Sequence, residues 1–329
     1  MVRNRLMLVQ LGLLVLSLAC LLIAPMLGAD FLPWSALADE TGRADDQYIL
    51  KELRLPRVLM AYLCGGGLAI CGMVFQAMFR NPLATPFTLG VASGASLGVA
   101  IYVWSGVSLV VLGFSGLSIA AMLGALLAIA LVYLLTQTQR GFRTSSMLLA
   151  GVAISFFFSS VILFIQYMSS MVDSVRIMRW LMGGLDVAGY DAVLSLLPFV
   201  LSGAAIMFYF SHDLNLVCSG EELAVARGVD VKKVKLVLFF TTSLLVGAIV
   251  SVCGPVGFVG MMVPHICRHL VGADHRGLLP ASMMFGGIFL VACDVLARSL
   301  IAPAEMPVGI LTAMLGGPFF VILLVRAGR

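Results

Sequence analysis

Apolar runs of about twenty residues recur along the whole chain, and short polar stretches separate them. A run of that length crosses a bilayer as a helix. The runs are continuous rather than alternating, which disfavours a membrane β-barrel. We therefore predict an all-α polytopic membrane protein whose ten transmembrane helices form a single domain over residues 1–329. The predicted spans lie near residues 6–28, 58–79, 88–105, 115–135, 145–168, 191–210, 236–252, 257–271, 278–297 and 307–325.

One polar stretch interrupts this pattern more than any other in the last three-quarters of the chain. It covers residues 211–235 and has the sequence SHDLNLVCSGEELAVARGVDVKKVK. Six predicted spans precede it and four follow it. We call it the polar segment and predict a loop on which a partner outside the membrane acts.

Composition and charge fix the class of protein and its orientation. Hydrophobic residues make up 61% of the 329 residues and charged residues only 11%, far too little charge to cover a soluble protein of this size. With the N-terminus in the cytoplasm, 13 of the 20 basic residues and 5 of the 16 acidic residues fall inside. This positive-inside pattern places both termini and the polar segment in the cytoplasm. The net charge of +4 is too modest to predict a nucleic-acid partner.

The chain lacks the sequence features of an ATPase. It has no Gly-x-x-x-x-Gly-Lys-Ser/Thr loop, and none of its four lysines lies in such a pattern. It therefore cannot be a P-loop ATPase, and we expect no enzyme activity and no cofactor in it. Charges within spans are nearly absent apart from Asp294 and Arg298, which are four residues apart on one predicted helix face. The missing proton relay argues against a secondary transporter without excluding one.

Cysteines and histidines give no clear metal site. The seven cysteines lie in or beside apolar runs, so we interpret them as small buried hydrophobic residues. His265 and His269 have a spacing that suits a metal, but no acidic residue lies between them and Arg268 is adjacent. We predict no metal there. The first apolar run follows Arg3 and Arg5 without a cleavage site, and we interpret it as an uncleaved helix.

A weak internal repeat relates the two halves of the chain. An offset of 182 residues aligns seven identical residues within 28 positions, among them Gly72 with Gly254. Because the second span then matches the seventh, the halves are predicted to be inverted, an arrangement common in transporters. Chance similarity between glycine-rich helices is the alternative.

Small residues and helix breaks mark candidate pathway or hinge positions. Gly, Ala and Ser are dense at residues 65–67 and 90–98, where they serve either close helix packing or a sliding face. Breaks at Asn81-Pro82, Pro86 and Gly254-Pro255 leave backbone groups that need protein or a water-filled cavity beside them. The candidates are Gly72, Gln76, Asn81, Pro82, Gly90, Gly94, Gly254 and Pro255.

The polar segment contains signals for a short helix. Ser219-Gly220-Glu221-Glu222 has the pattern of a capping box, and Gly228 can adopt the left-handed conformation that ends a helix. We predict a helix of about two turns over residues 220–227, followed by Asp230 as the cap of the seventh span. So short a helix needs packing, either on its own bundle or on a cytoplasmic partner. Its small apolar face consists of Leu223, Ala224 and Ala226.

Seven motifs follow one another in order from about residue 50 to the end of the chain, and the set is specific although each alone is weak. They are Leu53-Arg54-Leu55-Pro56-Arg57, Gly72-x-x-x-Gln76-x-x-x-Arg80-Asn81-Pro82-Leu83-Ala84-x-Pro86, Leu89-Gly90-x-x-x-Gly94-Ala95, Trp180-Leu181-Met182-Gly183, Gly254-Pro255-Val256-Gly257-Phe258-Val259-Gly260, Pro264-His265-x-x-Arg268 and Pro307-x-Gly309-x-x-Thr312-x-x-x-Gly316-x-Pro318. Together they resemble the permease subunits of bacterial ABC importers for iron-siderophore complexes, haem and cobalamin, the FecCD/BtuC-like family.

The resemblance implies two permease copies or homologues around a central pathway, two cytoplasmic ATPase subunits that bind ATP and Mg²⁺, and one periplasmic binding protein. It implies that the short helix of the polar segment docks on the ATPase, and that outer arginines receive glutamates of the binding protein. The implied coupling residues are Ser219, Glu221, Glu222, Leu223, Ala226, Arg227 and Gly228. The implied docking residues are Arg54, Arg57 and Arg298, and anchoring at lipid headgroups is the alternative role for the first two.

We therefore predict the permease subunit of a type II ABC importer in the bacterial inner membrane, with an iron-siderophore as cargo. Haem or cobalamin is the alternative cargo. The pathway lacks obvious charged ligands, which suits a bulky, already chelated cargo better than a bare ion. An ion-coupled secondary transporter and a non-transporting sensor or scaffold are the alternatives from other classes.

Overall fold

The computed structural model describes residues 2–28, 30–37, 44–111, 114–137, 144–301 and 304–327, and its regular structure is almost entirely helical. This confirms the all-α prediction, with one small antiparallel hairpin of β1 (Val110–Val111) and β2 (Phe114–Ser115) in the described part. The helices are α1 (Val2–Ile23), α2 (Ala44–Tyr48), α3 (Leu55–Phe79), α4 (Val91–Trp104), α5 (Gly116–Gln137), α6 (Thr144–Met168), α7 (Met171–Leu181), α8 (Asp191–Tyr209), α9 (Ser211–Ser219), α10 (Glu221–Ala226), α11 (Val231–Cys253), α12 (Val259–Val271), α13 (His275–Ser299) and α14 (Val308–Ala327).

Each of the ten predicted spans corresponds to one helix. Among the described residues, seven helices are long and apolar enough to cross a membrane, namely α1, α3, α5, α6, α8, α11 and α13. The other three predicted spans are α4 and α14, whose apolar parts are shorter, and α12, which has only 13 residues. Helices α7 and α9 were missed, because their polar residues look like connections between spans.

Helix α3 forms the centre of the bundle. It continues from α2 through a π-helical turn, Ile49–Arg54, and 20 of its 25 residues are buried. It packs against α8, α11, α12 and α13. The approach is very close: a Cβ atom added at Gly65 would lie 2.2 Å from the carbonyl oxygen of Gly286, and one added at Gly72 would lie 1.7 Å from that of Gly260. Small residues thus serve packing here, while a sliding role stays a prediction.

The predicted helix breaks are present, and the break at Gly254 lies where three of the motifs meet. Helix α3 ends at Arg80 (φ +47°) and α11 at Gly254 (φ +67°). Gly184 N donates to Cys253 O (2.9 Å), and Gly309 N donates to Gly183 O (3.2 Å). The segments around residues 180–184, 253–260 and 307–318 therefore meet at one junction.

Two other sequence interpretations change or stay open. Five of the seven cysteines are buried as predicted and Cys20 is half-buried, but Cys218 on α9 is exposed. The 182-residue offset pairs Gly72, inside α3, with Gly254, which ends α11. The aligned glycines thus differ in local structure, and the inverted repeat stays a prediction.

Candidate functional sites at the two ends of the bundle

The two predicted sites lie at opposite ends of α3. Arg54 precedes its first turn, Arg57 lies within that turn, and Arg80 follows its last turn. A helix of 25 residues is about 37 Å long at roughly 1.5 Å per residue. The polar segment packs near Arg80, at what we call the inner end, and the predicted docking arginines lie at the outer end.

The polar segment folds into α9, α10 and the start of α11. The capping-box prediction is wrong: Ser219 is the last residue of α9, and its Oγ donates back to Asn215 O (3.1 Å). Gly220 occupies the N-cap position of α10 without a side-chain cap. The predicted end of this short helix at Gly228 and the predicted cap of the next helix at Asp230 are confirmed. Gly228 has φ +84°, and Asp230 Oδ1 accepts from Lys233 N (3.0 Å).

Helix α10 packs one face on its own chain and exposes the other. Ala224 is buried against Val217 and Val231. Leu223 and Val225 are large apolar side chains that stay 45% and 61% exposed. The predicted apolar face is therefore split, because Ala224 packs on the chain whereas Leu223 and Ala226 are exposed. Glu222, Ala226 and Arg227 are exposed as well, so the outward face combines two apolar side chains with charged groups.

Side chains tie the polar segment to the membrane helices around it. Lys235 Nζ on α11 lies 2.8 Å from Glu221 Oε1. Arg80 Nε donates to Val217 O (3.1 Å), a carbonyl in the last turn of α9, where a cationic side chain is favourable. Of the predicted coupling residues, Glu221 thus holds α10 in place, whereas Glu222 is left facing outwards. 

Asn215 on α9 clamps the first turn of α13. Its Nδ2 donates to Asp274 Oδ1 (2.8 Å), and its Oδ1 accepts from His275 N (3.0 Å). Asp274 also accepts from Arg276 N (3.0 Å) and so caps α13. Burial raises the pKa of the Asp274 carboxyl, but the hydrogen bonds from Asn215 and Arg276 and the nearby positive charges outweigh it and lower the pKa. The capping carboxylate is therefore ionised at neutral pH.

A cavity of about 640 Å³ opens beside this clamp. Gln76 reaches this cavity from α3 and links α3 to α12. Its Nε2 donates to Met261 O (3.2 Å), and its Oε1 accepts from Arg268 Nη2 (3.4 Å). The lining includes Gln76, Arg80, Asn81, Pro82, Arg268 and His275. The Asn81-Pro82 break thus borders a cavity, and its role in a pathway stays a prediction.

At the outer end, Asp294 on α13 joins two arginines. Its carboxylate binds Arg57 Nε (2.9 Å) and faces Arg298 Nε at 3.1 Å, an ion pair whose atoms are not aligned as a hydrogen bond. Arg57 Nη1 also binds Glu305 Oε2 (2.6 Å). The predicted Asp294–Arg298 pair is confirmed. Arg298 is only 5% exposed, so it is not accessible to a docking partner in this conformation.

Arg54 has a different environment. Its Nη1 donates to Met26 O (3.2 Å) and its Nη2 to Asp30 O (2.8 Å), which ties the chain after α1 to the start of α3. The three predicted docking arginines therefore lie at one end, as expected, but each already has partners within the chain.

A second cavity, of about 900 Å³, lies at the same outer end. The outer ends of α5, α7 and α8 line it, together with residues just before α14. Arg176 and Arg179 of α7 reach this cavity and were missed from the sequence. The available signal was Ser170, whose Oγ accepts from Asp173 N (3.2 Å) and so begins an amphipathic helix that buries Ile177.

The sequence pattern that defines the FecCD transport family matches residues 13–326. The chain belongs to the FecCD transport family. It is 38% identical over 280 residues to the hemin transport permease HmuU of Yersinia pestis, covering 85% of this chain and 84% of that relative. It is 41% identical over 282 residues to the cobalamin import permease BtuC of Halobacterium salinarum, covering 84% and 73%. A solved structure described as a metal-chelate type ABC transporter, in an inward-facing conformation, matches with a TM-score of 0.85 and 32% identity over 96% of this chain and 98% of that chain.

These matches confirm the predicted family, the fold and the general role. The chain is a multi-pass membrane permease of a type II ABC importer. Its relatives are transport subunits, and the molecules in their names differ. Family membership therefore leaves the cargo open.

Proposed function

We propose that this permease imports an iron-siderophore-type chelate across the bacterial inner membrane, driven by ATP hydrolysis on two separate ATPase subunits. The observation that carries the proposal is α10, which exposes Leu223 and Val225 to water while Ala224 and the Glu221–Lys235 pair fix it to the bundle. A rigidly held helix with exposed apolar side chains is suited to docking in a partner's groove. ATP and Mg²⁺ would bind to the partner, and this chain would hold no cofactor or resident metal.

The chemistry of the relatives' cargoes supports a chelate. Hemin and cobalamin each hold a metal ion inside an organic macrocycle, and the matching solved structure belongs to a metal-chelate type of transporter. The outer cavity of about 900 Å³ has the volume of a site for a bulky ligand. Haem and cobalamin remain the alternative cargoes to a siderophore.

The proposed assembly places two permease copies or homologues side by side, with a binding protein at the outer end and both termini in the cytoplasm. Support comes from the charge distribution along the chain and from the apolar side chains on the outward face of α6. Phe156, Phe157 and Phe164 are all exposed on this chain, and they require cover by lipid or by a second permease.

Reconstituted uptake tests the energy source. Liposomes containing the permease, its ATPase and its binding protein should take up a ferric siderophore only when ATP is supplied on the ATPase side. Uptake driven by a proton or sodium gradient without ATPase would establish a secondary transporter instead. A complete complex that moves neither siderophore, haem nor cobalamin would favour the sensor or scaffold.

The coupling role of α10 is tested by charge insertion. Glu222→Arg combined with Leu223→Arg should weaken ATPase binding at least about tenfold, because it places two cations where an apolar contact is expected. Retention of ATPase during co-purification, at defined detergent and salt, measures this. Asp213→Arg, on α9 of the same segment, is the control for added positive charge and should retain the ATPase. Stoichiometric ATPase on the double variant would count against the coupling role.

A further inference from the structure

The outer cavity contains two arginines that form no ion pair among the described residues. Arg176 and Arg179 both line it and are exposed to it. Neither forms an ion pair with an acidic residue in the described part of the chain. They are three residues apart on α7, so their side chains are neighbours on one helix face.

This arrangement is unfavourable unless something compensates for it. Like charges one turn apart on a helix repel each other and destabilise it. Arg57 also lines the cavity, but Asp294 and Glu305 already bind it. The remaining acidic group in the lining is Asp186, so the cavity is left with a positive balance.

The groups around the two arginines suit a large organic anion better than a small ion. Trp180 lines the cavity next to Arg179, and Met306 and Val175 add apolar surface. Guanidinium groups bind carboxylate and other planar oxyanions through paired hydrogen bonds, and an indole ring stacks on flat organic ligands. The lining therefore combines charge recognition with apolar contact, as ligand sites do.

We propose that Arg176 and Arg179 form the outer recognition site for a negatively charged metal chelate, whose carboxylate or catecholate oxygens they bind. The inference rests on the proposed import function and narrows its cargo to anionic chelates over uncharged ones. This proposal replaces the prediction from the sequence that the pathway has no charged side chains that bind the cargo.

Trp180 makes binding at this site directly measurable. The purified permease–ATPase complex, without ATP or binding protein, is titrated with a ferric tris-catecholate, which is anionic, and with a ferric tris-hydroxamate, which is uncharged. Both iron complexes quench tryptophan fluorescence at close range. The chain has three tryptophans, so Trp180→Phe identifies the part of the quenching that arises in this cavity and should remove that part.

Arg176→Gln combined with Arg179→Gln should weaken binding of the anionic complex about tenfold or more. Added salt should reduce the difference, and binding of the uncharged complex should stay the same. The matched control is Arg5→Gln with Arg276→Gln, which removes the same charge from exposed side chains at the inner end and should leave both affinities unchanged.

Three results would overturn the assignment. They are equal binding of the anionic complex by wild type and variant, equal loss of both complexes, and no quenching of Trp180 by either complex. The first of these results, together with lost docking of the binding protein, would show that the two arginines contact the binding protein instead. Because this assay uses no ATP, its failure is distinguishable from failure of ATP-driven uptake.

Discussion

At the scale of single residues, Asp294 has the largest expected effect on stability. It is fully buried, and it is the shared partner of Arg57 and Arg298. Asp294→Asn keeps the size of the side chain but leaves two cations without their buried counter-charge. Removing one partner of a buried pair typically costs about 3–5 kcal/mol. We expect a clearly lower thermal unfolding temperature of the purified protein in detergent.

Glu305→Gln is the control for that prediction. Glu305 binds the same Arg57 but is 50% exposed, and exposed pairs contribute about 1 kcal/mol or less. Its unfolding temperature should stay near that of the wild type. Similar losses for the two variants would show that burial does not determine the strength of this network.

The same residues show what the sequence could and could not predict. The Asp294–Arg298 pair was predictable because the two residues are four apart on one helix. Arg57 is 237 residues from Asp294, and no local pattern reveals that they meet. The capping box predicted at Ser219 failed for a local reason. The sequence pattern was correct, but α9 continues through Ser219 and uses its hydroxyl within the helix.

At the scale of helices, the tightest glycine contact of α3 is with α12. A Cβ atom at Gly72 would lie 1.7 Å from the backbone oxygen of Gly260, and backbone cannot move aside as a side chain can. Gly72→Ala should therefore separate the two helices and strongly reduce the yield of folded, monodisperse protein. Gly257→Ala is the matched control, because a Cβ atom there meets nothing within 4 Å. Equal yields would show that the two helices adjust freely.

Helices were predictable where hydrophobicity alone determines them, and not elsewhere. The long apolar runs gave α1, α3, α5, α6, α8, α11 and α13 almost directly. Helices α7 and α9 have mixed faces, because one side packs on the bundle and the other meets water, so their composition resembles that of a loop. These missed helices carry Asn215 at the inner end and Arg176 and Arg179 at the outer end. The resemblance to a family identified the motifs, but only the fold shows that three of them meet at one junction.

At the scale of the whole molecule, α3 and α13 connect the two ends. They contact each other at Gly65 and Gly286 in the middle and at Arg57 and Asp294 near the outer end. At the inner end, α13 begins at the Asn215 clamp. A force applied to α10 therefore has a continuous path through packed helices to the outer arginines. Such a path is a mechanical connection, and coupling along it needs two alternative states.

Docking of the binding protein tests whether the outer end has its proposed role. Arg54 is the most informative of the three arginines, because Arg57 and Arg298 also hold buried Asp294, whereas Arg54 donates to backbone oxygens. Arg54→Gln should weaken docking severalfold, and the difference should shrink as salt is added. Lys51→Gln is the control, since it removes the same charge from an exposed side chain three residues earlier.

The affinity of the binding protein for immobilised permease complex, measured for each variant, separates the outcomes. If Lys51→Gln has the same effect as Arg54→Gln, attraction depends on the general field of the outer face. If Arg54→Gln has no effect, Arg54 is not a docking residue, and its bonds to Met26 and Asp30 account for it fully.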